Sequence, residues 1–286
     1  AELARLRVEV RLGEPAEELL LQEGRLVGIR TASGTLAAAT VVLAAGGRGY
    51  PALGGSETGY ALARQAGHRI TDTFPAMVPL LTAESWPGEC RADTIPRAVL
   101  EIRRKGARGL RAQGDLIFTE HGLAGPLVLD ASREITPLLA AGEPVRAILR
   151  LTDSDEAGWR ARLDADAASE PLATLLEQRL PGPLAAVLCR LAGTDPGRRT
   201  ASLGERDRNR LAAILARTPI TIVGSEGWDR AMVTHGGVAL AEVDPDTLAS
   251  RILPGLRLAG EILDLDGPCG GFNLQWAFSS GALAGS

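Results

Sequence analysis

Two glycine-rich stretches each follow an apolar run that reads as a strand: Val41-Val-Leu-Ala-Ala-Gly-Gly47, and the longer run from Leu258 through Ala259-Gly-Glu261 to Gly270-Gly-Phe-Asn-Leu-Gln275. Glycines at such strand ends let a ligand approach the backbone, and the free N–H groups that open a following helix can receive an anion or an electron-rich carbonyl. Glu261, at a strand's carboxyl end, is suited to accept hydrogen bonds from sugar hydroxyls. Taken singly, each glycine pair reads equally well as a turn or a helix cap.

The other reactive residue types are sparse. The only lysine, Lys105, lies between Arg104 and Gly106 rather than in a Gly-Lys-Ser/Thr loop, which excludes a P-loop and leaves a Schiff-base lysine as a remote option. His68, His121 and His235, with Cys90, Cys189 and Cys269, are dispersed, so no zinc pattern, disulfide framework or Cys-x-x-Cys pair is expected, and a reducing cytoplasm fits. His121 and His235 read as turn residues before they read as acids or bases, His68 as a helix-end residue, and Cys269 as a small loop filler. Asp264-Leu-Asp266-Gly267 shares two positions with a calcium loop but lacks the remaining ligands, so an Asp-Gly turn is expected and no metal. No Gly-x-Ser-x-Gly nucleophile turn occurs.

Thirty-one basic against 35 acidic residues give a net charge of -4, with no global attraction to nucleic acid or anionic lipid. The longest apolar stretch, Leu36 to Gly47, is well short of the ~20 residues that span a bilayer, so no membrane contact is expected. Charges among the first fourteen residues argue against a signal peptide. With aromatics at 3% and hydrophobic residues at 45%, the core must be built from Ala, Val, Leu and Ile.

The elements that must position these residues follow from patterning. Val8 to Leu12, Glu18 to Gln22, Leu26 to Thr31 and Thr40 to Ala45 read as strands parted by Gly13, Glu23-Gly24 and Ser33-Gly34. The last is apolar on both faces, as in a strand covered on both sides. A helix from Tyr60 to Ala66 closes at Gly67. From Phe74 the chain turns to Pro-broken strands, including 98–103, 115–119 and 145–151. Between Asp153 and Arg217 the period is helical: Leu172, Leu175, Leu176 and Leu180, then Leu184, Val187, Leu188 and Leu191 after Pro183 in a first turn. Strands return at 220–223, 231–234 and 238–242. Strand 255–259 and a helix from Phe272 to Ala284 close the chain.

The two glycine-rich runs, with Tyr50-Pro51, Gly59-Tyr60 through Gly67-His68, Phe118-Thr119 through Gly125-Pro126, and Val233-Thr234 before Gly236-Gly237-Val238, resemble the BaiN-type family of NAD(P)/FAD-dependent oxidoreductases, which includes aminoacetone-oxidase-like flavoproteins. The similarity runs over nearly the whole chain. It implies an α/β and α+β multidomain protein: a Rossmann-like FAD domain formed by residues 1–75 and 251–286, a β-barrel formed by 76–152 and 218–250, and a helical insert at 153–217. By the same resemblance Ala45, Gly46 and Gly47 lie near the dinucleotide, Glu261 near the ribityl or phosphate region, and Gly270, Gly271, Phe272, Asn273, Leu274 and Gln275 near the isoalloxazine. A helix N-terminus on the flavin's pyrimidine side would stabilise negative charge on the reduced ring.

Family members open on a strand and Gly-x-Gly-x-x-Gly, which this chain lacks, so on the order of a hundred preceding residues of the whole protein are expected. Gly55 to Thr58 departs from the family's Gly-Ser-Thr-Gly-Asp-Gly, and Phe272 stands where Tyr is common. The function implied is flavin-mediated hydride transfer from a reduced nicotinamide, NAD(P)H, or a small organic donor to a small-molecule substrate. The alternative is a cofactor-free binding or scaffold module. Substrate, acid or base residues and oligomeric state are not legible.

Overall fold

The Glu23-Gly24 pair does what its residue types predict. Both residues take positive φ (51° and 74°), and Gln22 pairs with Arg25 across the two-residue turn, the mirror-image geometry that suits a twisted hairpin. In this computed structural model, which describes residues 2–103, 109–142, 144–165 and 170–286, the chain forms two units, residues 1–73 with 233–286 and residues 74–232. Lys105 lies outside the described residues.

The discontinuous unit opens with an antiparallel meander of strands Ala16–Gln22, Arg25–Thr31 and Gly34–Ala37. Gly28 is needed there, because a Cβ would overlap the Leu36 carbonyl of the neighbouring strand. Residues 8–12 do not form the expected strand. Val8, Val10 and Leu12 are exposed at 49%, 56% and 91%, an alternating pattern with no ladder to join among the described residues.

Strand Val41–Leu43 pairs in parallel with Leu256–Leu258, so the two strands end on the same side of the pair. The first of these is shorter than expected. It is also not covered on both faces: Leu43 is buried while Val42 is 41% exposed. Helix Thr58–Gln65, followed by Gly67 at φ 91°, buries Tyr60, Leu62 and Ala63. Its Gln65 side chain accepts the Leu19 N–H (2.9 Å) and donates to the Leu19 carbonyl (3.2 Å), tying helix to meander.

Residues 233–250, read from sequence with the barrel, fall in this unit. The reason is visible in its core, where Val238, Val243 and Leu248 join Leu19, Leu43, Tyr60 and Leu258. Instead of a strand over 238–242, Val238 makes single bridges to Ile70 and Leu263, and a 3-10 turn covers Leu240–Glu242. The closing helix, Phe272–Ala284, has the expected bounds.

Residues 74–232 contain a closed barrel of strands Val145–Arg150, Thr218–Ser225, Leu80–Thr82, Gly122–Ala124, Leu110–Phe118 and Thr94–Ile102, all neighbours antiparallel. Closure leaves no sheet edge to protect. Helix Pro126–Ala140, unforeseen in the sequence, buries Leu127, Val128, Ala131 and Ile135 against it. Helices Glu156–Ala165, Leu172–Glu177, Gly182–Leu191 and Glu205–Ala216 lie between two adjacent barrel strands in sequence. Their Trp159, Leu176, Leu188 and Leu215 share one core with the barrel's Leu100, Leu116, Leu149 and Ile222.

Candidate functional site

The parallel pair sets the geometry. Because Val41–Leu43 and Leu256–Leu258 run the same way, the Ala44–Arg48 loop and the Gly260–Ile262 turn emerge side by side. Gly47 is buried against that turn, and a Cβ on it would overlap both Glu261 Oε1 and Thr234 Oγ1. Thr234 clips the assembly together. Its backbone N–H donates to Glu261 Oε1 at 2.9 Å, and its hydroxyl oxygen accepts the Arg48 N–H at 2.8 Å. Arg48 in turn reaches the Thr73 hydroxyl at 2.7 Å and the Glu57 carboxylate at 2.8 Å.

The electrostatics of this cluster are set by burial. Desolvation pushes the Glu261 carboxyl above its ordinary range, the Thr234 hydrogen bonds oppose the shift, and the charge of Asp266 adds to it. The Tyr60 phenol is pushed up to about 12 by burial first and by Glu261 second. Its hydroxyl, close to Thr234, is buried without a hydrogen bond of normal geometry. A buried orphan donor beside a poorly solvated carboxylate is costly unless the site has another occupant.

The second glycine-rich stretch is fixed to the same turn. From helix Phe272–Ala284, Trp276 Nε1 donates to the Gly260 carbonyl (3.1 Å), and the Ser280 hydroxyl oxygen accepts the Gly260 N–H (2.9 Å). Gly270 and Gly271 both take positive φ (127° and 88°), and Gly271, as N-cap, has no side chain to satisfy the first helical N–H groups.

The residues singled out in the sequence therefore have distinct settings. Gly47 and Glu261 touch. Ala45 is exposed, its Cβ facing helix Thr58–Gln65, where a Cβ on Gly59 would come within 2.7 Å of it. Gly46, at φ 73°, faces open space. Residues 270–275 are joined to the first group by the helix they open, whose Trp276 and Ser280 bond Gly260. Within them Asn273 is occupied in its own loop, its Oδ1 accepting the Gly267 N–H (2.7 Å) and its Nδ2 donating to the Gly267 carbonyl (2.9 Å). Gln275 Nε2 bonds the Ser279 hydroxyl at 2.9 Å, while Phe272 and Leu274 are 60% and 67% exposed.

Sequence reading passed over Thr234, Tyr60 and the pair His235–Asp266. His235 Nδ1 lies 2.8 Å from Asp266 Oδ1, whose side chain is 5% exposed, so the Val233–His235 strand is fastened to the loop that carries Gly270 and Gly271. The Gly236-Gly237 pair was the available signal. Gly237 crosses the Ile262–Asp264 backbone so closely that a Cβ would sit 2.6 Å from the Ile262 carbonyl oxygen, which fixes the preceding residues against the turn. His121 is an exposed loop residue, and the His68 ring is buried between Glu242 (3.1 Å) and the Ser250 hydroxyl (2.8 Å), a structural setting. Among the described residues no His, Cys, Asp and Glu cluster could hold a metal, and no helix is long and apolar enough to cross a membrane.

Comparison with known proteins places this arrangement. The chain is 33% identical to a 3-dehydro-bile acid delta(4,6)-reductase of Clostridium scindens, over 99% of this chain and 70% of that protein. It is 32% identical to a ribosomal RNA dihydrouridine synthase of Escherichia coli over 86% of this chain, and 28% identical to that of Haemophilus influenzae over 84%. It spans 60% and 58% of those two proteins, less than two thirds of either. Residues 1–286 match, end to end, the family described as HI0933-like protein Rossmann domain. The chain belongs to this HI0933-like family of Rossmann-domain proteins, the flavoprotein family that its glycine-rich runs resemble.

Proposed function

We propose that this chain is the FAD-holding body of an oxidoreductase that saturates a carbon–carbon double bond conjugated to a carbonyl group. The observation that carries the flavin reading is the Gly47–Thr234–Glu261 contact. A glycine that can bear no Cβ, a poorly solvated carboxylate and an orphan phenol meet where two parallel strands end. These features fit a dinucleotide. Gly46 offers an open backbone approach, the Glu261 carboxylate accepts ribityl or ribose hydroxyls, and the Gly271-capped helix presents N–H groups toward a carbonyl-rich ring.

FAD, when bound, supplies the hydride chemistry. The protein's residues bind, orient and exclude water. Thr234 holds Glu261 and the Arg48 backbone in one register, Trp276 and Ser280 hold the Gly260 turn, and Phe272 and Leu274 present apolar surface beside the proposed ring site. His235, fixed by Asp266, is the imidazole set to supply a proton on that side.

The acceptor class rests on what two relatives' names share. A delta(4,6)-reductase acting on a 3-dehydro bile acid and a synthase of dihydrouridine both saturate C=C bonds in conjugation with a carbonyl. A net charge of -4 favours a small acceptor over RNA, and a reduced nicotinamide is the donor we assign. In the complete gene product, we expect a purified yellow protein with a flavin spectrum that NAD(P)H bleaches and a small conjugated enone restores. A colourless protein that takes up no added FAD would overturn the reading.

A further inference from the structure

Within residues 74–232, the barrel carries a cavity of about 500 Å³, bordered by the segment 151–155 and by Arg179 and Pro181. Of its apolar lining, Ile95 and Leu151 belong to the buried core at 3% exposure each, and Val99 is 7% exposed. The surface that the cavity offers a ligand is therefore mainly polar.

Its polar lining is rich in guanidinium groups. Arg111 and Arg150 share a single carboxylate, Glu101, at 3.4 Å and 3.0 Å. Burial pushes the Glu101 carboxyl up, and these two arginines more than offset it, holding it below its usual range. Arg179 pairs with Asp153 at 2.9 Å, and Asp155 Oδ1 accepts the Gly158 N–H. Arg97 is different. Among the described residues its guanidinium has no ion-pair or hydrogen-bond partner, and its backbone is strained.

That strain is local and pinned. The register between Thr94–Ile102 and Leu110–Phe118 slips between Ile95 and Ala98, and Arg97, within this bulge, sits at φ 53°, a region a long side chain adopts only at a cost. The Arg97 N–H donates to Asp115 Oδ1 at 3.1 Å, which holds the bulge. A bulge re-aims a side chain, and strained non-glycine residues gather at ligand clamps. A glycine would relieve the backbone here, so the arginine stands against local preference.

We propose that this cavity is a binding site for a small oxyanion, its acid group held by Arg97 with Arg111 and Arg150. Planar guanidinium forks suit a carboxylate, sulfonate or phosphate oxygen pair. The site lies wholly in residues 74–232 and does not depend on the flavin reading.

The test is calorimetric titration of the full chain with naphthalene-2-sulfonate, its uncharged sulfonamide and inorganic phosphate, with Arg97→Gly and Arg97→Asn beside the parent. Both replacements tolerate positive φ, so both should fold, and Arg97→Gly should raise the melting temperature. The sulfonate and phosphate should each bind the parent at least tenfold more tightly than the sulfonamide, and both variants should lose at least tenfold for both anions. Equal affinity for sulfonate and sulfonamide, no binding by the parent, or unchanged affinity in folded variants would each overturn the proposal.

Discussion

The two units place their buried polar groups differently. In residues 74–232 a closed barrel and the helices interposed between its strands share one aliphatic core, with Leu100, Leu149, Trp159 and Leu188 at 0% exposure. In residues 1–73 with 233–286 the sheets are short, and the interior holds an orphan phenol, a desolvated carboxylate and a buried imidazole. Its closing helix leaves Phe278 73% exposed. Both units bury polar atoms, among them Trp86 Nε1 and the Thr194 and Thr200 hydroxyls in the first, but the second gathers a phenol and a desolvated carboxylate around Thr234 at one strand end.

The sharpest way to break this contrast is to carve each core. Leu149→Ala should cost about 2–5 kcal/mol, read as a lowered unfolding midpoint, because a fully buried leucine leaves a cavity. Val42→Ala, on a strand 41% exposed at that residue, should cost well under half of that. Equal losses would remove the distinction.

Next in size is His68→Ala, which removes one partner each from the Glu242 carboxylate and the Ser250 hydroxyl and should cost about 1–3 kcal/mol in chemical denaturation. Glu242 also gives a pH signature. The Arg69 N–H is the main force holding its carboxyl below the ordinary value, and the His68 hydrogen bond assists. Its contribution is therefore present above the unfolded carboxylate pKa and fades as pH falls through the lower folded pKa. Glu242→Gln should flatten stability in that acidic window.

Glu261 should behave in the opposite sense. Its carboxyl is raised by burial, so its neutral form favours the folded state, and stability declines as pH rises from the unfolded value through the raised folded one. In cofactor-free protein Glu261→Gln should remove that decline; a decline that persists in the variant would show that Glu261 is solvated. The smallest effect belongs to the surface. Arg160→Ala, which breaks an exposed i,i+4 pair with Asp164 at 2.9 Å, should shift stability by about 0.5 kcal/mol or less.

Legibility in the sequence divides along the same line. The leucine spacing from Leu172 to Leu191 and the apolar run from Phe272 yielded helices because their periods are local. Helix Pro126–Ala140 was hidden by Pro126 and Pro137, although Leu127, Ala131 and Ile135 recur at i, i+4 and i+8. Strand 8–12 failed because alternation does not supply a partner strand. In the site, Gly47 and Glu261 were legible from motif and strand-end logic. Thr234 was not, because its importance comes from hydrogen bonds to residues 27 positions ahead and 186 behind, a closure that no local pattern encodes. His235 gained its carboxylate partner across 31 positions in the same way.

The central claim is that Glu261, at the end of the parallel strand pair, holds the flavin. Bound FAD per chain, measured by absorbance after gel filtration of the complete gene product, tests it in Glu261→Ala beside His121→Ala. The account predicts a ten- to hundredfold weaker retention in Glu261→Ala, the scale of one lost charged hydrogen bond at about 1.5–3 kcal/mol, with His121→Ala matching the parent. Flavin content in Glu261→Ala equal to that of the parent would contradict it.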